Sequence, residues 1–112
     1  MHRKNTIANL DDYATVCVCF HEHLISYLFA DLLEARGVPT KILRHLKESP
    51  LIQKVITEPK YVSALSETQR RQCLVVGTAE SLTPFIELGA QVLSRPLSEE
   101  KIDLALNQLF RE

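Results

Sequence analysis

Cys17, Cys19, His21 and His23 alternate along one short stretch, with Glu22 between the two histidines. Thiolates, imidazoles and carboxylates are metal ligands, so the run reads first as a metal box. The spacing argues against it. Alternate residues of a strand share one face and follow one another in a row, about 6–7 Å apart. A tetrahedral zinc site needs its donors gathered around one point. The bland reading is two core thiols in a buried strand and two histidines at its solvated end, with no metal and no cofactor. Cys19 offers a second chemistry. A thiolate at the end of a first strand can attack a phosphorus centre if backbone donors and an arginine cradle it. The residues that follow, Phe20-His21-Glu22-His23-Leu24-Ile25-Ser26, contain neither Gly nor Arg. A core cysteine is again the simpler reading.

These residues need a frame, and the chain is long enough to supply one. At 112 residues it reads as one domain that can bury a core without disulfides or metal. Apolar residues make up 46% and charged residues 24%, an ordinary globular balance. The formal net charge of −1 gives no basic surplus of the kind nucleic-acid modules carry, and Arg70-Arg71 is too short a basic run to change that. No apolar run reaches transmembrane length and no signal peptide opens the chain. Three cysteines, an odd number, fit free thiols in a reducing cytoplasm. Residues 1–12 are expected to be a flexible polar leader and residues 13–112 the domain. Both ends read as cuts through a larger protein.

Along the chain, Thr15 to Phe20 is a continuous apolar, β-branched run, as in a strand buried on both faces. His23 to Arg36 carries Leu24, Ile25, Leu28, Phe29, Leu32 and Leu33 at helical spacing, and Gly37 stops it. Thr40 to Leu46 reads as a second strand with Ile42 and Leu43 as its core; His45 reads as a surface histidine. Lys47 to Gln53 has no clear pattern. Val55-Ile56-Thr57 is a weak third strand, and Tyr61 to Gln72 is a short helix or a loop. Cys73 to Gly77 is a fourth strand, Ser81 to Leu88 a helix ended by Gly89, and Ala90 to Leu93 a fifth strand. Ser98 is a good N-cap for a last helix, with Glu99 and Glu100 in its first turn and a Leu97–Ile102 staple. This alternation predicts an α/β fold of three layers, with a five-stranded parallel sheet of flavodoxin-like order 2-1-3-4-5 and an irregular middle.

Over residues 14–112 the order of elements resembles the receiver domains of two-component signalling. Cys73-Leu74-Val75-Val76-Gly77-Thr78-Ala79 looks like a receiver's fourth strand, ending in a hydroxyl residue and a small one. Gly89-Ala90-Gln91-Val92-Leu93-Ser94-Arg95-Pro96 looks like its Gly-Ala, fifth strand and Lys-Pro turn. The resemblance implies a site of two acids after the first strand that hold magnesium, an aspartate after the third that accepts a phosphoryl group, a Ser or Thr, and a Lys. Magnesium needs hard oxygen ligands, and the transferring phosphoryl needs its charge neutralised.

The departures are what matter. The acidic pair is replaced by His21-Glu22-His23, and imidazole does not replace a carboxylate for magnesium. Asp11 and Asp12 precede the first strand, at the wrong end of the sheet, and Asp31 and Asp103 fall inside helices. No aspartate follows the third strand; Glu58, beside Pro59, lies nearest. Thr78 is kept, and Arg95 stands for the lysine with a different shape. Glu22, Glu58, Thr78 and Arg95 therefore form a vestigial site whose acceptor is absent.

The resemblance implies a non-catalytic pseudo-receiver that docks a response regulator or phosphotransfer domain within a larger protein. The receiver-like α/β/loop domains of Rcs phosphorelay phosphotransfer proteins and hybrid kinases are one such setting. The expected location is the cytoplasm, as the cytoplasmic part of an inner-membrane protein where the parent is anchored, with no membrane or nucleic-acid contact by this domain. Ser26, Tyr27 and Ala30, placed off the core stripe of the first helix, are the expected docking residues. Two alternatives stay open: a small phosphocarrier or phosphatase using Cys19, and a receiver with residual magnesium or phosphate response through Glu22 and Glu58.

Overall fold

A computed structural model describes residues 15–44, 46 and 54–110. The polar leader, Asp11, Asp12, His45 and the unpatterned 47–53 stretch lie outside the described residues.

Five parallel strands form one sheet in the order β2-β1-β3-β4-β5. They are β1 (Val16–Cys19), β2 (Thr40–Ile42), β3 (Lys54–Thr57), β4 (Cys73–Gly77) and β5 (Gln91–Ser94). The helices are α1 (His23–Ala35), α2 (Pro59–Val62), α3 (Glu67–Arg71), α4 (Ala79–Glu87) and α5 (Glu99–Leu109). β1 pairs with both β2 and β3, with Val18 opposite Ile42 on one side and Ile56 on the other. Every residue of β1 and β4 is buried. That is why these strands read as unbroken apolar runs: helices cover both faces.

Alternation divides the core in two. Val16, Val18, Ile56, Leu74 and Val76 meet Phe29 and Leu33 of α1 and Ile102, Leu106 and Leu109 of α5. Cys17, Cys19, Val55, Cys73 and Val75 meet Val62 of α2, Leu65 and Leu82 of α4. The result is the three-layer α/β arrangement expected from the element order.

Local signals explain most boundaries. Gly37 ends α1 at φ +79°, a region open to glycine. Ser98 Oγ accepts the Lys101 N–H and caps α5. The 61–72 stretch holds the last two residues of α2 and all of α3, which Ser66 and Gln69 start with a reciprocal capping box. α4 begins at Ala79 rather than Ser81, because Thr78 caps it.

Two expectations need correction. β2 is shorter than the 40–46 stretch, and Ile42 is half-exposed while Leu43 and Leu46 are buried beyond it. As an edge strand, β2 has only β1 to pair with. The inward face of α1 is Ser26, Phe29, Ala30 and Leu33, not the stripe that includes Leu24 and Leu28. Apolar residues occupy most of this helix's circumference, so period alone does not choose the face. The sheet takes the side where Ser26 and Ala30 are small enough for close approach.

Candidate functional site

The four vestigial-site residues come together at the C-terminal edge of the sheet, each on the segment that leaves a strand: Glu22 after β1, Glu58 after β3, Thr78 after β4 and Arg95 after β5. Each has a structural partner. Arg95 Nη2 lies 4.0 Å from Glu22 Oε1. Glu58 Oε2 accepts the backbone N–H of His21. Thr78 Oγ1 accepts the Ser81 N–H at 3.2 Å and donates to Ser81 Oγ at 3.0 Å. The turn that carries Arg95 is held by Lys101, whose Nζ donates to the carbonyls of Ser94 and Pro96, both at 2.7 Å. The Arg95–Pro96 peptide is cis.

The donor set does not fit the magnesium that a receiver would hold. One carboxylate at this edge faces a guanidinium and the other accepts a backbone N–H. The remaining side chains after β1 are imidazoles, which suit softer ions.

Thr57 was not singled out from sequence. It is fully buried at the end of β3, one residue before Glu58, and its hydroxyl donates to the Cys19 carbonyl at 2.6 Å. That bond ties β1 to β3 directly beneath the site. A hydroxyl at the end of an otherwise apolar strand was the available signal, since a buried hydroxyl needs a partner.

The cysteines point into the core. Cys17, Cys19 and Cys73 are buried and form no disulfide among the described residues, and burial pushes the Cys17 and Cys73 thiols up to about 11. Thiols in that range are poor nucleophiles near neutral pH. Among the described residues no three His, Cys, Asp or Glu side chains gather as a metal group.

The docking residues divide. Tyr27 is 56% exposed, whereas Ser26 and Ala30 are buried. Ser26 and Ala30 therefore do not lie off the core stripe; they belong to it. The outer face of α1 is instead Leu24, Tyr27 and Leu28, of which Leu24 is 82% exposed.

A second feature of this edge went unread in the sequence. Phe20, His21, His23, Ser26, Tyr27, Arg44 and Tyr61 line an open cleft of about 530 Å³. Its residues come from three separate segments and share no spacing that a linear pattern could reveal. None of the helices among the described residues is long and apolar enough to cross a membrane.

Comparison with family models, with curated proteins and with solved structures finds no match to this chain.

Proposed function

We propose that this domain is a non-catalytic pseudo-receiver of a larger signalling protein, docking a response regulator or phosphotransfer partner on the cytoplasmic side without accepting a phosphoryl group. The observation that carries the reading is that the side chains at the receiver-like edge are committed to structure. A phosphoryl acceptor must be free to attack an incoming donor; the Glu58 carboxylate is held by the His21 N–H. Glu22 faces Arg95, and Thr78 caps α4. The frame stays and the reacting groups are tied down.

Docking is supported by the outer face of α1. Leu24, Tyr27 and Leu28 expose apolar and aromatic surface one helical turn apart. Aromatic residues are enriched at interface cores, and contiguous exposed apolar surface marks interaction sites. The reading that uses Cys19 lacks an accessible nucleophile, because Cys19 has no exposed surface.

The test is a pair of titrations followed by amide NMR. With magnesium and beryllofluoride, no saturable shift is expected at Glu22, Glu58, Thr78 or Arg95. With a candidate response regulator, shifts are expected on α1, weakened by Tyr27→Ala. Saturable magnesium shifts near Glu22 would replace the proposal with a receiver of residual activity. Shifts centred on Cys19 would replace it with thiol chemistry. Unchanged regulator affinity in Tyr27→Ala would remove α1 as the docking face.

A further inference from the structure

The β1–α1 connection faces two ways. Glu22 has extended backbone angles, φ −85° and ψ 121°, and its carboxylate reaches toward Arg95. Its neighbours His21 and His23 both line the cleft. The cleft lies where the strand order reverses: β2 flanks β1 on one side and β3 on the other. Open α/β sheets take ligands in the crevice beyond the strand ends at such a switch point.

The lining indicates the kind of ligand. It offers a guanidinium and two imidazoles, and no carboxylate. Arg44 is exposed and makes no ion pair among the described residues. The nearby acids are engaged elsewhere, Glu22 with Arg95 and Glu58 with the His21 N–H.

Ser26 supplies an independent pointer. It is 2% exposed, and its hydroxyl has no hydrogen-bond partner among the described residues. Among the described residues no fully enclosed side-chain oxygen is left unpaired, so the small surface Ser26 retains includes that hydroxyl, at the cleft wall. A ligand oxygen placed there would satisfy it. The start of α1 adds to this: it has no side-chain cap and no acid in its first turn, and its N-cap residue Glu22 turns its carboxylate toward Arg95. Tyr27 and Tyr61 give the cleft aromatic walls.

We propose that this cleft binds a small phosphate monoester bearing an aromatic ring, of the size of a nucleoside monophosphate. The phosphate lies among Arg44, the two imidazoles and the Ser26 hydroxyl, and the ring packs on the tyrosines. A volume of about 530 Å³ is within the usual range for small-molecule sites. The proposal does not rest on the docking reading: the docking face is the outer side of α1, and only Tyr27 is common to both.

The test is NMR titration of the full chain with AMP, and with adenosine and inorganic phosphate as its two halves. AMP is expected to give saturable shifts at His21, His23, Ser26, Arg44 and Tyr61, and to bind more tightly than either half. Arg44→Ala, an exposed change that leaves the fold in place, is expected to weaken AMP about tenfold, the usual effect of losing a charged hydrogen bond. Ser26→Ala is expected to weaken it less while keeping the wild-type spectrum elsewhere. The absence of saturable shifts in the cleft at millimolar AMP would overturn the proposal. So would equal affinity for AMP and adenosine, or unchanged AMP affinity in Arg44→Ala.

Discussion

Arg95 Nη2 stands 4.0 Å from Glu22 Oε1, joining the residue after β5 to the residue before α1 across the edge of the sheet. The side chains are 38% and 67% exposed. A pair so open to solvent contributes at most about 1 kcal/mol and is screened by salt. Arg95→Ala is expected to lower stability by less than about 1 kcal/mol in low salt, with the difference vanishing at high salt. Urea denaturation at two ionic strengths measures both. A salt-independent loss would show that Arg95 supports the edge by packing rather than by charge.

Gly77 ends β4 where the first residue of α2 and the capped start of α4 converge. A Cβ there would lie 2.8 Å from Ser81 Oγ and 3.3 Å from the Pro59 ring. Ser81 Oγ cannot turn aside freely, since it donates to the Thr78 carbonyl at 2.9 Å. Gly77→Ala is expected to cost about 1–3 kcal/mol, as overpacking does. Adding Ser81→Ala should make the double variant less unstable than the sum of the two single changes. Simple additivity in urea melts would show that Ser81 is not the obstacle.

The two faces of α1 should respond in opposite ways. Phe29 is fully buried and stacks on Phe20 with ring centroids 5.5 Å apart. Phe29→Ala is expected to cost about 3–5 kcal/mol. Leu24→Ser, on the outer face, is expected to change stability by no more than about 0.5 kcal/mol while lowering affinity for a docking partner. Thermal melts and a binding isotherm separate the two effects. A large destabilisation by Leu24→Ser would show that this face is covered within the chain.

The buried thiols set an upper pH limit. Cys17 and Cys73 are each raised from 9.0 to about 11, burial being the main cause, so the folded state keeps the neutral thiol after the unfolded chain has begun to ionise. Between those values the unfolded state holds fewer protons, and stability falls as pH rises. The contribution is complete below about pH 9 and is lost by about pH 11. Urea midpoints across this range should fall in wild type and fall less in Cys17→Ala/Cys73→Ala. In the native protein at about pH 8, a thiol reagent is expected to react slowly with all three cysteines.

The sequence by itself determined the frame. Buried β-branched runs, a glycine after α1 and Ser98 before α5 are local signals, each acting within a few residues, and their order led to the parallel sheet. It also placed Glu22, Glu58, Thr78 and Arg95 at one edge, because Glu58, Thr78 and Arg95 directly follow their strands, Glu22 comes three residues after β1, and the strands all run the same way. Only the tertiary structure decided what those residues do. Whether Glu58 is free or accepts the His21 N–H depends on how the segments after β1 and β3 meet, 37 residues apart in sequence. The inward face of α1 was undecided locally, since its apolar residues surround the helix. Contact with the sheet chose Ser26 and Ala30 and left Leu24 outside. The cleft depended most on tertiary structure: Arg44, Ser26 and Tyr61 have no relation in sequence, and the reversal of strand order at β1 brings them to one opening.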